Sequence, residues 1–316
     1  MSKRVFIGID TSNYTTSCAV CDYDGVILEN YKALLPVKEG ENGLRQSDAV
    51  FAHVKNFEII ANYIKEKHAD YEIVAIGYSA YPRDCENSYM PCFLVGKAVA
   101  EMIGAIYNLE IYKFSHQMGH VQAAVYSSEA KIDDDFLAFH VSGGTTEILH
   151  VFPCDNTYKI EQIGGTIDLN AGQAIDRIGV KMGITFPCGK EMEKLALANK
   201  NKIPSNNICV NGYECNLSGL ENLATNLYKK TNDCSLVSAY VFEFVSKTLI
   251  KLTKNLRNDF PGKSIVFAGG VMSNTIIQKN LSKNFDNVYF AKPEFSADNA
   301  AGIAILTLKE FNGREA

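Results

Sequence analysis

The stretch KFSHQMGHVQAAV sets His116 and His120 four residues apart at the start of an apolar run. On a helix, positions i and i+4 project from one face, so both imidazoles can reach a single ion. The same spacing also suits two packed core histidines, and a lone H-x-x-x-H is a weak signal. A third ligand has to come from elsewhere in the chain. Where a zinc-protease helix carries its glutamate, beside the first histidine, this chain has Gln117, so peptide hydrolysis lacks its expected general base. His140 and His150 read as strand residues, and His68 as a surface helix residue.

Two glycine pairs offer a second kind of chemistry. HVSGGTTE puts Ser142, Gly143 and Gly144 in a strand-to-strand turn, where glycine lets backbone N–H groups approach an anion closely. FAGGVMSN places another pair after a strand and before Ser273 and Asn274, residues suited to cap a helix and aim its positive end at a ligand. Each pair alone equally describes a tight turn, and neither matches the P-loop or dinucleotide fingerprint. In NAGQAIDRIGVKMGITFPCGKEMEKLA, Asp176 lies on a helix that leads to the turn Pro187-Cys188-Gly189. Asp176 and Glu193 either accept hydrogen bonds from ribose or base donors or are solvated helix acids.

The elements that would position these groups occur twice. RVFIGIDTSNYTTSCAVCDYDGVIL reads as two strands joined by a turn of hydroxyl and small residues, and FLAFHVSGGTTEILHVF repeats it. An amphipathic helix leading to a buried strand follows in each half, at Phe51–Ala80 and at Val237–Asn274. Each half then adds a helix, a short strand and a loop that opens another helix. In the first half that loop carries His116 and His120; in the second it carries Asp298. A duplicated α/β plan follows, in which the glycine turns at equivalent places indicate a nucleotide cleft. Approximate twofold symmetry would set Asp298 across that cleft from the histidines. Two histidines and a carboxylate with open positions suit iron(II), zinc or manganese.

Composition narrows the classes. The chain has 316 residues, 47% apolar and 21% charged, with a net charge of −5 that predicts no nonspecific grip on nucleic acid. No apolar run approaches the roughly 18 residues of a spanning helix, and the start MSKRVFIGID reaches Asp10 too soon for a signal peptide. Nine cysteines without a compact framework fit reduced thiols, so a cytoplasmic protein without a membrane role is expected. Cys18 and Cys21 form a C-x-x-C in a strand-like run, where buried small residues are the expected reading over a redox or zinc pair.

The stretches GIDTS, HQMGH, VSGG, AGQAIDRI with FPCG, LSGL, GGVMSN and DNAA follow one another in an order and spacing that resemble the tRNA threonylcarbamoyladenosine synthase family, once described as glycoprotein endopeptidases. The resemblance runs from Gly8 to the final helix. It implies an α/β fold of the actin/Hsp70-like class, with an N-terminal lobe over 1–127 and a C-terminal lobe over 128–316 around a nucleotide and metal cleft, the latter with a helical insertion at about 166–231. It implies a divalent metal ion, iron(II) or zinc, on His116, His120 and Asp298. It also implies nucleotide or substrate contacts from His140, Val141, Ser142, Gly143, Gly144, Asp176, Gly189, Glu193 and Asn274. The implied activity is acyl transfer: threonylcarbamoyl moves from its adenylate to the exocyclic amine of the adenosine beside the anticodon in tRNA. A smaller paralogous subunit and an ATPase are the implied partners. The resemblance assigns no catalytic residue here. Asn13, Tyr14 and Thr15 stand where the family has Cys and an acidic pair, and SAYPRDCENSYMPCF, with Arg83 and Tyr89, replaces a Gly-Pro-Gly loop. Hydroxyls do not replace carboxylates as anionic acceptors. Two alternatives therefore stand beside transfer to tRNA: a paralogue moving a carbamoyl or related acyl group to another acceptor, and a nucleotide-binding scaffold without turnover.

Overall fold

The computed structural model describes residues 2–12, 14–36, 44–67, 71–130, 132 and 134–315; Asn13 and His68 lie outside them. The chain divides into two compact units. One comprises Met1–Tyr126, Pro153–Ile160 and Asp298–Ala316, the other Ser127–Phe152 and Glu161–Ala297. This division differs from a single break near residue 127, because the end of the chain belongs with its beginning.

The first unit opens with β1 (Lys3–Thr11), β2 (Thr15–Asp22) and β3 (Ile27–Leu34), followed by α1 (Gln46–Lys67), β4 (Tyr71–Tyr81), α2 (Phe93–Tyr107), β5 (Glu110–Ser115) and α3 (His116–Ser128). Its sheet has the order β3-β2-β1-β4-β5. β1 and β2 are antiparallel, whereas β4 and β5 join in parallel through helical crossovers. Val5 to Ile9 are buried, as a strand covered on both faces requires. Cys18 and Cys21 are buried in β2, and burial pushes both thiols up to about 12. They pack as small residues.

The second sheet repeats the plan with β6 (Phe136–Val141), β7 (Thr146–Cys154) and β8 (Thr157–Thr166), of which Pro153–Ile160 at the β7–β8 turn counts with the first unit. An insertion follows: α4 (Ala171–Lys181), α5 (Gly189–Ala198), β9 (Cys209–Asn211), β10 (Glu214–Asn216) and α6 (Ser218–Thr231). The plan resumes with α7 (Cys234–Asp259), β11 (Ile265–Ala268), a 3-10 turn at Gly270–Ser273, α8 (Thr275–Asn284), β12 (Val288–Phe290) and α9 (Pro293–Ser296). The second sheet runs β12-β11-β6-β7-β8-β10-β9. Without β10 and β9 it has the same order as the first, and β6-β7, β6-β11 and β11-β12 pair in the same directions as β1-β2, β1-β4 and β4-β5, so the duplication read from sequence is real. Two details differ from that reading. Each meander has a third strand, β3 or β8, and the insertion holds a β-hairpin that extends the sheet as well as helices.

Asp168 fastens the insertion. Its carboxylate accepts from the Leu169, Leu217 and Ser218 backbones at 2.5, 2.8 and 3.2 Å and from the Ser218 hydroxyl at 2.6 Å. Desolvation would raise its pKa. The Ser218 hydroxyl and the backbone donors outweigh that, and hold the carboxyl well below the usual carboxylate range.

The chain closes with α10 (Ala301–Glu315), which returns to the first unit. Glycines set how near it comes. A Cβ on Gly8 of β1 would lie 2.4 Å from the Ala304 nitrogen, and one on Gly302 would lie 1.9 Å from the Gly119 carbonyl oxygen of α3. Backbone therefore meets backbone on both sides of α10. Among the described residues, no helix is long and apolar enough to cross a membrane.

Two outcomes follow from this packing. Gly302→Ala has to push α10 from α3 and should cost about 1–3 kcal/mol in urea unfolding; an unchanged midpoint contradicts the close contact. Asp168 has a depressed folded-state pKa, so its contribution is present above its unfolded value near 4 and is lost as pH falls through the folded value. Wild type should exceed Asp168→Asn in melting temperature at pH 7, with the gap narrowing progressively below about pH 4. A gap that persists undiminished in acid would refute the role given to its charge.

Candidate functional site

β5 runs directly into α3, and the junction fixes where the helix begins. The Ser115 hydroxyl accepts from the Met118 backbone at 3.1 Å, as a helix N-cap does. It also donates to Asp84 at 2.5 Å, and the Gln117 backbone donates to the Pro82 carbonyl at 3.0 Å. The loop around Arg83 is thus braced on the first turn of α3. Within that loop the Arg83 backbone donates to the Ser88 hydroxyl at 2.9 Å, and Tyr89 is exposed.

With α3 starting at His116, both imidazoles emerge on one face. Their Nε2 atoms are 3.0 Å apart. Asp298, just ahead of α10, brings Oδ1 to 3.2 Å from His120 Nε2 and 3.8 Å from His116 Nε2. All three residues belong to the first unit, so Asp298 approaches the histidines on their own unit instead of from the opposite half. The return of α10 is the physical reason.

Two of these three side chains are held from behind. The Ser12 hydroxyl donates to Asp298 Oδ2 at 3.0 Å. Asp10, buried at the end of β1, accepts from His116 Nδ1 at 2.8 Å. A carboxylate only accepts, so the proton in this contact sits on Nδ1, and Nε2 is the ring nitrogen that faces His120 and Asp298. Desolvation would raise the Asp298 pKa, but the hydrogen bond from His120, both imidazoles and Ser12 hold the carboxyl well below the usual range. It is an anionic group.

The donor set fits a metal ion. Tetrahedral zinc with bonds of about 2.0–2.1 Å needs ligand atoms roughly 3.3–3.4 Å apart, and the observed separations of 3.0, 3.2 and 3.8 Å bracket that edge.

The other residues singled out by sequence lie in the second unit. Ser142 N–H donates to the Thr145 carbonyl at 2.7 Å, and Thr145 N–H returns to the Ser142 hydroxyl at 3.1 Å. The turn rests on the start of α4, where Gly172 N–H donates to the Ser142 carbonyl and the Asn170 amide to the Gly144 carbonyl. Gly143 and Gly144 face open space, so this turn presents bare backbone. Gly269 has φ +97°, and a Cβ there would lie 2.3 Å from the Val141 carbonyl, which ties the two glycine turns together. Asn274 caps α8 by accepting from Ile276 and Ile277, and Glu193 accepts from the Thr275 backbone and hydroxyl at 2.7 and 2.6 Å. Asp176 accepts from the Cys188 backbone at 2.8 Å just before Gly189, and burial raises its pKa. His140 lies 3.6 Å from Glu147 on the neighbouring strand.

Two residues gained no role from sequence. Asp10 ends a buried strand in GIDTS, and an acid in that place is itself a signal. His53 is fully buried on α1, with Nδ1 2.7 Å from the Thr16 hydroxyl, which also accepts from Asn56 at 3.1 Å. The only signal for His53 was its place, with Asn56 and Ile60, on the inner face of an amphipathic helix. Desolvation lowers its pKa, which keeps it neutral.

Comparison with known proteins bears on the fold and the family. Solved structures with the same fold include the HypF protein of T. kodakarensis (TM-score 0.64, 12% identity, 99% of this chain and 48% of that one). A ROK family glucokinase from Streptomyces griseus has TM-score 0.55 at 13% identity, over 96% of this chain and 99% of its own. The fold is therefore of the actin/Hsp70-like class. In sequence, the tRNA N6-adenosine threonylcarbamoyltransferase of Streptococcus suis (strain 05ZYH33) is 29% identical over 99% of this chain and 94% of its own length. That of Streptococcus pneumoniae (strain Taiwan19F-14) is also 29% identical over the same shares. The family model for tRNA N6-adenosine threonylcarbamoyltransferase (TsaD) matches residues 53–305, and the chain belongs to that transferase family.

Proposed function

We propose that the protein transfers threonylcarbamoyl from threonylcarbamoyl-AMP to the exocyclic amine of the adenosine beside the tRNA anticodon, using a divalent ion held by His116, His120 and Asp298. Membership of a transferase family supports the reaction, and the convergence of two imidazole nitrogens and an ionised carboxylate supports the ion. Iron(II) or zinc suits this donor set. When bound, the ion supplies Lewis acidity toward the carbamoyl carbonyl. In the reaction the amine nitrogen attacks the carbonyl carbon. A C–N bond forms, the C–O bond to the phosphate breaks, AMP leaves, and the amine loses a proton.

The chain supplies binding and orientation. Ser12 and Asp10 fix the ligands. In the second unit, His140 to Gly144, Asp176, Gly189, Glu193 and Asn274 are assigned to the nucleotide. The open backbone at Gly143 and Gly144 suits its phosphate, since amides held in a turn cost little to reorganise.

A second reading, transfer of a carbamoyl or related acyl group to a different acceptor, is favoured by one observation. Thr15 is buried in β2 and only Tyr14 is exposed beside Ser12 among the described residues, so no carboxylate takes the place of the family's acidic pair. A nucleotide-binding scaffold would keep both sites without turnover.

Partners belong to the same reading. The outer faces of α1 and α2 expose Phe51, Val54 and Tyr63, and Leu94, Met102 and Ile106. This much apolar surface on two helices of one unit suits a protein partner, here assigned to the smaller paralogous subunit. An ATPase and tRNA complete the assembly.

The purified protein should carry one divalent ion and transfer labelled threonylcarbamoyl to unmodified tRNA when its partners are present. His120→Ala and Asp298→Ala should lose the ion and at least about 100-fold in transfer rate. Full transfer by ion-free protein would sink the metal assignment, and transfer to another acceptor alone would favour the second reading. Ile106→Glu should abolish co-elution with the smaller subunit and leave the melting temperature unchanged; intact co-elution contradicts the docking face.

A further inference from the structure

Asp10 is 1% exposed, and it is the carboxylate of the GIDTS stretch. Parallel pairing of β1 with β4 sets Ile9 beside Tyr78, which brings Ser79 next to Asp10. The Ser79 hydroxyl and His116 Nδ1 both donate to Oδ1. Oδ2 is buried and has no hydrogen-bond partner among the described residues. Nor does any lysine or arginine among them pair with this carboxylate, in contrast to Asp22 with Lys3 and Asp135 with Lys263. His53 is in electrostatic range, but burial keeps its ring neutral. A buried anion without a cation is costly, so positive charge must reach it by another route.

The route runs through one imidazole ring. We infer that Asp10 is a positioning residue: it locks His116 in the Nδ1–H tautomer and supplies the second negative charge that balances a divalent ion on the other ring nitrogen. The inference rests on the metal assignment made above. Two neutral imidazoles, the Asp298 carboxylate and the Asp10 carboxylate carry two negative charges in all, which cancel the charge of a divalent ion. Ser79 keeps Oδ1 aimed at the ring. Hydrogen bonds of this kind raise ligand basicity, and their loss costs metal affinity although the residue never touches the ion.

Two measurements test this. In nitrogen-15 spectra of the metal-free protein, His116 should show a protonated Nδ1 and a bare Nε2; a dominant Nε2–H tautomer overturns the assignment. Asp10→Asn keeps an oxygen for the ring N–H and removes the charge. It should still bind one zinc ion, with a dissociation constant raised about 10–100-fold. A value within about twofold of wild type, from folded protein, overturns the role of the charge. Failure of wild type itself to bind zinc sinks the metal assignment, and this inference with it, so the two failures are told apart. The wild-type spectrum decides even if the variant does not fold.

Discussion

Two imidazole nitrogens 3.0 Å apart, with a carboxylate oxygen beside them, converge on one point, where a shared proton or a metal ion must sit because bare lone pairs alone would repel. Much of the first unit serves to create it. α10 carries Asp298 to the histidines only because glycine at 8 and 302 lets its backbone touch β1 and meet α3 at Gly119. Ser115 fixes the first turn of α3, Ser12 fixes Asp298, and Asp10 fixes the ring of His116. Each contact restricts a torsion that an isolated ligand would leave free, and the entropy of assembling the site is met during folding.

Duplication shows how one plan serves two chemistries. β1 and β6 occupy the same place in their sheets, each antiparallel to the next strand and parallel to a later one. At the end of β1 stand Asp10 and Ser12, whose side chains hold His116 and Asp298. At the end of β6 stand Ser142, Gly143 and Gly144, whose bare backbone suits an anion. Different side chains thus stand at equivalent positions, while the strand pairing beneath them is shared.

The fold was legible because hydrophobic period survives divergence. The two meanders, the crossover helices and the buried strands each left a pattern, and their repetition made the class readable. The third strands were harder, since β3 is only partly buried and lacks a continuous apolar run. The His116, His120 and Asp298 set was legible from spacing and repeat matching. The arrangement around Asp298 was not, because the return of α10 depends on glycine contacts between distant segments. Asn274 was visible as a cap, whereas the bonds from Thr275 to Glu193 join residues 82 apart and leave no local signal. Asp10 was quoted within a motif, but its role depends on the register of β1 with β4, which sequence alone does not give.

The central claim is that these three side chains hold a divalent ion, and X-ray absorption at the metal edge of the purified protein addresses it most directly. The account predicts a single metal population with imidazole scattering from two histidines and nitrogen or oxygen neighbours at about 2.0–2.2 Å. A spectrum without imidazole back-scattering, or one unchanged in the His116→Ala protein, would contradict it.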